Sequence, residues 1–93
     1  MSKTKCPSAI GAQNEYLVVC DLLRQSFRVF KNVAFGPVDL IATKRGLILR
    51  VQVKSVMSRS ALRGNDVLAV VASDGRIRYR ARTRRIAKKF ENS

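Results

Sequence analysis

Four polar side chains stand among apolar residues, and together they could hold a metal ion. Glu15 lies in an apolar helical segment, and Asp39, Gln52 and Lys54 lie in two apolar strand segments. Mg²⁺ takes oxygen ligands, often one or two carboxylates with waters and a phosphate. Glu15 and Asp39 offer carboxylates, Gln52 a weaker neutral amide oxygen, and Val53 its carbonyl. This set suits metal-assisted phosphodiester hydrolysis, with Lys54 orienting the water and stabilising charge on the phosphate.

A tight turn would gather three of these residues. Arg45-Gly46 separates the two strand segments, which predicts a two-residue hairpin loop with Gly46 at positive φ. In that register Asp39 lies directly opposite Gln52, and residues directly opposite in an antiparallel pair share a face. Lys54, two residues beyond Gln52, shares that face as well. A loop one residue longer would put Asp39 on the other face.

The position of Glu15 points the same way but leaves an alternative open. Glu15 precedes Val19 by four residues and Leu23 by eight, so the three share one helical face. The carboxylate is then aimed at the buried side or its rim. Equally, Glu15 can be solvated at the edge of that face, and Asp39 with Lys54 can be an ordinary ion pair on a polar surface.

The elements that must position these residues follow from hydrophobic periodicity and turn signals. We expect a single domain over residues 1–93, with a flexible leader over residues 1–7. The chain is predicted to begin with a helix over 9–24, with Ser8 as N-cap and with an apolar face formed by Ala12, Val19, Leu22 and Leu23. Three strands follow over 27–32, 39–43 and 47–53, and then a polar loop or short turn over 56–65. The last elements are a buried strand over 66–72, a hairpin at Asp74-Gly75, a strand over 76–81, and a basic helix over 84–90 capped by Thr83.

Charge indicates the partner. The chain has 19 Lys and Arg against 6 Asp and Glu, a net charge of +13, and residues 44–93 hold 14 of the 19 basic residues. Such an excess favours a polyanion such as DNA, which releases counterions when its phosphates are neutralised. The alternative is a solvated, charged strand edge that blocks aggregation. The candidate phosphate contacts are an alternating row, Arg76, Arg78, Arg80 and Arg82, with Arg59 and Arg63 as weaker candidates.

Several functions are excluded by composition. The chain has no histidine, so Ser-His-Asp triads, Cys-His dyads and His-ligated zinc are ruled out. Its two cysteines are too few for a disulfide scaffold, which favours a reducing, cytoplasmic location. No apolar stretch approaches the length of a membrane span. We therefore expect no membrane association and no cofactor beyond a divalent metal.

Three short motifs resemble the PD-(D/E)XK nuclease superfamily, which includes type II restriction enzymes, Holliday-junction resolvases and some group I intron endonucleases. The motifs are Gly11-x-x-x-Glu15, Gly36-Pro37-Val38-Asp39-Leu40-Ile41 and Val51-Gln52-Val53-Lys54-Ser55. The resemblance implies an α+β fold: an αβββ core with a central mixed sheet flanked by helix, here followed by a C-terminal β-hairpin and a short basic helix. It also implies a metal site for Mg²⁺ or Mn²⁺ formed by Glu15, Asp39, Gln52 and Lys54.

This chain departs from the superfamily pattern in two places. Gln52 stands where most relatives have an acid, although a Gln-x-Lys variant occurs among the intron endonucleases. Val38 separates Pro37 from Asp39, so the motif that contains Asp39 reads P-x-D. Neither departure removes the carboxylate of Asp39. The replacement of an acid by Gln52, however, weakens the expected set of metal ligands.

We expect a metal-dependent DNA endonuclease that acts as a homodimer and that selects branched DNA, such as a Holliday junction, or nicks ordinary duplex. A two-fold pair is the simplest way for a one-site subunit to cut both strands. The alternatives are a non-catalytic nucleic-acid-binding protein on a degraded nuclease fold and a ribosomal-type RNA-binding protein. The apolar residues expected to serve both the core and the dimer interface are Val67, Leu68, Val70 and Val71.

Overall fold

The computed structural model describes residues 7–32, 38–57 and 62–91, with side chains from Ile10 onward. Gly36, Pro37 and Arg59 lie outside the described residues, as do most of the expected leader and the middle of the 56–65 loop. The elements are α1 (Pro7–Arg24), β1 (Arg28–Lys31), β2 (Leu40–Lys44), β3 (Leu47–Lys54), β4 (Val67–Val71), β5 (Ile77–Ala81) and α2 (Arg84–Glu91). The predicted order of elements is confirmed.

The start of α1 and its buried face differ from the prediction. The helix begins at Pro7, so Ser8 lies within the first turn and is not the N-cap. Proline is tolerated there because first-turn N–H groups have no intrahelical acceptor. The fully buried residues are Val18 and Leu22, one turn apart, whereas Ala12 is exposed and Leu23 is 54% exposed. The prediction is therefore right for Leu22 and for Val19, which packs against the core, and wrong for Ala12 and Leu23.

All five strands form one sheet in the order β1-β2-β3-β4-β5. Neighbouring strands are antiparallel except β3 and β4, which are parallel. The predicted mixed sheet and α+β class are therefore confirmed. Both helices lie on one face of this sheet, since Phe90 of α2 stacks on Phe27 at 5.5 Å, and Val18 and Leu22 of α1 join the same buried cluster. No helix in the described part of the chain is long and apolar enough to cross a membrane.

The turn between β2 and β3 has the predicted two-residue form. Arg45 and Gly46 have φ of 49° and 83°, so both lie in the left-handed region that two-residue hairpins require. Lys44 pairs with Leu47, and the same register continues to the pair of Leu40 with Val51. The turn therefore fixes which residues of β2 lie beside which residues of β3.

The core is one buried cluster between the helices and the sheet. Val67 and Val71 belong to this cluster and are 1% and 2% exposed, and Leu68, which points to the other face of the sheet, is 0% exposed. These residues are expected from the sequence to serve both the core and a dimer interface. The second part is wrong for these three, because their side chains are already covered and cannot contact a second subunit. Tyr79 donates its hydroxyl hydrogen to Asp21 of α1. Burial and that hydrogen bond raise the pKa of Tyr79, so the hydroxyl stays protonated.

The same substitution at two glycines should change stability in opposite directions. A Cβ would meet nothing within 4 Å at Gly46 or at Gly11, so neither substitution creates a clash. Gly46→Ala should lower the free energy of unfolding by about 1 kcal/mol because alanine resists positive φ. Gly11→Ala should raise it by about 0.5–1 kcal/mol because Gly11 is helical. Urea denaturation measures both, and equal effects of one sign would contradict the left-handed turn.

Candidate active site

A cleft of about 420 Å³ lies where α1 approaches the end of β3. Asp39 immediately precedes β2, Lys54 is the last residue of β3, and Glu15 lies near the middle of α1. The structure brings five sequence-predicted residues together along this cleft: Glu15, Asp39, Gln52, Val53 and Lys54. Residues that are far apart in the chain therefore border one space.

The backbone of Asp39 is held between two strands. Its N–H donates to the carbonyl of Val51 at 3.0 Å, and its carbonyl accepts from the N–H of Asn32 at 3.0 Å. Because Leu40 is also paired with Val51, two successive residues oppose one residue of β3. This is the two-against-one arrangement of a β-bulge, a device that re-aims a side chain.

The bulge corrects the predicted pairing of Asp39. The regular ladder ends at Leu40, so Asp39 does not lie directly opposite Gln52. The carboxylate of Asp39 instead reaches β3, where Oδ2 accepts the backbone N–H of Val53 at 2.8 Å. Its other oxygen, Oδ1, takes no hydrogen bond from the described residues. One oxygen is therefore fixed by the backbone and one remains available for a ligand.

Glu15 carries a buried oxygen that lacks a hydrogen-bond donor. It lies three residues before Val18 and seven before Leu22, so it continues the buried face of α1. Lys31 Nζ forms an ion pair with Glu15 Oε1 at 3.7 Å, a separation that is too long for a hydrogen bond. Oε1 is buried and accepts no hydrogen bond in the part of the chain that the structure describes. An anionic oxygen in this state is suited to a cation.

Gln52 is hydrogen-bonded to Asn65, a residue that no motif in the sequence singles out. Val51 is buried beneath α1, so alternation along β3 directs Gln52 to the other face of the sheet, where it still borders the cleft at the end of the strand. There its Oε1 accepts a hydrogen bond from Asn65 Nδ2 at 3.3 Å. Asn65 is 0% exposed and just precedes β4. In the sequence it is only one polar residue before an apolar run.

These donors fit a hard divalent cation in part. Within the described ranges, no three His, Cys, Asp or Glu side chains cluster closely enough to hold a metal. Mg²⁺ does not require three, since it commonly uses one or two carboxylates and keeps several waters. The two carboxylates of Glu15 and Asp39 supply that minimum, and the donor-free Oε1 of Glu15 is the observation that favours a cation. Lys54 is exposed beside them.

The middle of the predicted arginine row is exposed and unpaired. Arg78 and Arg80 alternate with Tyr79, which is partly buried on the helix side, so the two arginines point to the helix-free face of β5. Neither has an acidic partner among residues 7–32, 38–57 and 62–91. Arg63 is also exposed. Exposed guanidinium groups of this kind suit contact with phosphate.

The two ends of the row are partly neutralised by nearby acids. Arg76 Nε lies 3.4 Å from Asp74 in the hairpin turn. Arg82 lies 3.5 Å from Asp66 and donates Nε to the carbonyl of Asn65 at 3.1 Å. The pairing of Arg82 depends on the β4–β5 register, which a local charge count along the sequence does not include.

Asp66 also holds Arg50 across the parallel pair of strands. Its Oδ2 accepts from the Arg50 backbone N–H at 2.9 Å and from Nε at 3.1 Å. Burial disfavours the charged form of Asp66, but hydrogen bonds from Arg50 and Arg82 outweigh it and lower the pKa of that carboxyl. In return, the hydrogen bond to Asp66 raises the pKa of Arg50. Asp66 is therefore ionised and keeps both guanidinium groups in place.

Two helices on one face of a five-stranded mixed sheet, with a carboxylate-lined cleft at the end of β3, make up an α+β fold. Among solved structures, the chain is similar to a bacterial homing endonuclease, I-Ssp6803I, with a TM-score of 0.64. The match covers 97% of this chain and 100% of that chain at 15% sequence identity, so it shows a shared fold. No protein-family model and no curated protein matches the sequence.

Metal binding to the cleft should stabilise the folded chain. Mn²⁺ at about 100 times its dissociation constant should add about 2.7 kcal/mol to the free energy of unfolding, seen as a rise in Tm. Glu15→Gln and Asp39→Asn should each weaken Mn²⁺ binding at least about tenfold, because each removes a charged ligand. Calorimetric titration measures the affinity directly.

The matched control is Glu91→Gln, which neutralises an exposed carboxylate at the end of α2, away from the cleft. It should leave the Mn²⁺ affinity unchanged. A wild-type Tm that does not respond to Mn²⁺, or an equal response in all three variants, would remove the support for a metal site in this cleft.

Proposed function

We propose that this chain is a divalent-metal-dependent DNA endonuclease of the PD-(D/E)XK type. The observation that carries the proposal is the buried, donor-free Oε1 of Glu15 in the same cleft as Asp39 and Lys54. The fold shared with a homing endonuclease and the net charge of +13 support DNA as the substrate. The match of the three motifs supports the superfamily.

In the proposed mechanism, Glu15 and Asp39 hold the cation, with the carbonyl of Val53 and the amide of Gln52 at its border. When bound, Mg²⁺ or Mn²⁺ polarises the scissile phosphate and lowers the pKa of the attacking water. Val53 keeps the Asp39 carboxylate oriented through its N–H, so the ligand needs no reorganisation. Lys54 places an ammonium beside the phosphate and stabilises the charge that develops in the transition state.

The DNA backbone is held by the arginines of the helix-free face. Arg78 and Arg80 supply the unpaired charge, while Arg76 and Arg82 are partly neutralised by acids and contribute less. Arg63, exposed before β4, adds a contact from the connecting segment. Contacts of this kind fix position on the duplex without reading sequence.

The substrate in this proposal is branched or ordinary duplex DNA, and the active species is a homodimer. A single cleft cuts one strand at a time, so a second copy related by two-fold symmetry is the simplest way to cut both strands. Shape-selective recognition of a junction fits a chain that has no helix-turn-helix or zinc-finger reader in its sequence.

A non-catalytic nucleic-acid-binding protein is the second candidate. Gln52 favours it, because a neutral side chain replaces the expected acid and its oxygen is already hydrogen-bonded to Asn65. In this alternative the charged surfaces bind DNA or RNA, and the cleft holds no metal productively.

Cleavage assays separate the two candidates. Supercoiled plasmid and a synthetic four-way junction are incubated with the chain in Mg²⁺, in Mn²⁺ and in EDTA. We expect metal-dependent cleavage of at least one substrate, and tight binding without cleavage under any metal would favour the non-catalytic candidate. Asp39→Asn and Lys54→Ala should reduce the cleavage rate at least about 100-fold while DNA affinity changes little.

The control for charge loss is Arg24→Ala, since Arg24 is an exposed cation at the end of α1 that does not line the cleft. It should retain most of the activity. If cleavage persisted in both the Asp39 and Lys54 variants, the proposed site would be wrong.

A further inference from the structure

A basic groove of about 660 Å³ lies at the other end of β3 from the cleft. It is bounded by the β2–β3 turn on one side and by α2 on the other. No acidic residue lines it in the described part of the chain. The lining consists of four cations with a small apolar floor: Lys44, Arg45, Lys88 and Lys89 around Gly46, Leu47 and Ile48.

One of the four cations is fixed in position. Lys44 Nζ donates to the carbonyl of Gln25 at 2.8 Å and lies 5.2 Å from the centre of the Phe27 ring. A lysine held this way loses little entropy on binding an anion. Arg45, Lys88 and Lys89 are exposed and form no ion pair with the described residues. Their mutual repulsion is uncompensated, so the groove concentrates anions.

We propose that this groove is a second binding site for the phosphate backbone of DNA, flanking the strand that enters the cleft. β3 rises by roughly 23 Å from Leu47 to Lys54 at about 3.3 Å per residue. Phosphates on one strand of a duplex are spaced by about 3.4 Å along the axis. A backbone that reaches from cleft to groove therefore spans roughly seven nucleotides. This placement rests on the proposed function, but binding by the groove does not require cleavage.

The test measures binding of a 30-base-pair duplex in EDTA at several salt concentrations. Lys88→Gln with Lys89→Gln removes two groove cations, and Arg84→Gln with Arg85→Gln removes two cations of the same helix that do not line the groove. The first pair should reduce the slope of log Kd against log salt by nearly 2, at about 0.9 per phosphate contact. The second pair should change it by less than half as much.

Arg78→Gln with Arg80→Gln is the positive comparison and should also reduce the slope. Circular dichroism checks that α2 remains helical in each variant. Equal effects of the two α2 pairs would overturn the groove, because binding would then follow overall charge. Absence of duplex binding by the unmodified chain would overturn the groove and the proposed function together.

The hydrogen bonds of Asn65 determine the orientation of the Gln52 amide. Asn65 Nδ2 donates both to Gln52 Oε1 and to the backbone carbonyl of Arg63, each at 3.3 Å. A backbone carbonyl can only accept, so the nitrogen side of the Asn65 amide must face Arg63. The second hydrogen of that nitrogen then points to Gln52, which must present its oxygen.

From this geometry we infer that Asn65 is a positioning residue that turns the oxygen of Gln52 away from the metal and leaves its Nε2 for a phosphate oxygen or the attacking water. The inference rests on the proposed function and assigns Gln52 the role of donor rather than ligand. It explains how a neutral side chain serves where an acid was expected, because an N–H donor stabilises developing negative charge.

Two variants separate a donor from a ligand. Gln52→Leu should leave the Mn²⁺ affinity within about twofold while the cleavage rate falls about 100-fold. Asn65→Asp replaces the donor by an acceptor, so Gln52 should rotate and offer its oxygen to the cleft. That variant should bind Mn²⁺ more tightly and cleave more slowly. Loss of Mn²⁺ affinity of more than tenfold in Gln52→Leu would identify Gln52 as a ligand and overturn the inference.

The hydrogen bond between Asn65 and Gln52 can be tested without metal and without cleavage, and therefore independently of the proposed function. Hydrogen exchange of the Asn65 Nδ2 protons, followed by NMR on ¹⁵N-labelled protein, should be slow in the unmodified chain and faster in Gln52→Leu. Because Gln52 is only partly buried, that variant keeps the core intact. Unchanged exchange in the variant would overturn the positioning role even if the chain binds metal and cleaves DNA.

Discussion

The tight turn at Arg45 and Gly46 is the constraint on which the candidate site depends. Two left-handed residues allow one register, and a slip by one residue would move every side chain of β3 to the opposite face. In the observed register Val51 lies beneath α1, and Lys54 ends the strand at the cleft. The turn lies at one end of β3 and the cleft at the other. Because the strand between them is regular, the turn determines which side chains of β3 reach the cleft.

One irregularity then converts a regular sheet into a site. In an uninterrupted ladder Asp39 would lie opposite Gln52, and its carboxylate would project from the sheet without a backbone partner. The bulge opposite Val51 lets that carboxylate accept the N–H of Val53 instead. Glu15 approaches from the helix side because it continues the buried face of α1. The regular sheet makes the site rigid, and the one extra residue of the bulge turns the Asp39 carboxylate toward Val53.

The sequence was sufficient where the signal was local. The Arg45-Gly46 turn, the buried run of β4 and the Thr83 cap of α2, which accepts from the Ile86 N–H, each depend on a few adjacent residues. The buried face of α1 is predicted only in part, because Leu23 is apolar yet exposed and hydrophobicity alone does not separate it from the buried Leu22.

Long-range pairing could not be derived from local pattern in the same way. The bond from Asn65 to Gln52 and the ion pair of Asp66 with Arg50 exist because β3 and β4 are parallel neighbours, which no spacing rule predicts. The bulge at Asp39 was missed for a related reason: the hairpin rule gives the register at the turn, and an extra residue at the far end of the strand leaves no mark in the turn sequence.

The few acids of the chain are used to fix geometry, and this explains why the charge remains available to a polyanion. Asp21 accepts from Tyr79, Asp66 orients two arginines, and Asp39 is bound to the backbone of Val53. Little carboxylate is left to neutralise the exposed cations on β5 and α2. Salt screens charges over about 8 Å at physiological strength, whereas the two ends of β3 are roughly 23 Å apart. The carboxylates of the cleft therefore do not cancel the positive charge of the groove, and the length of β3 separates the two.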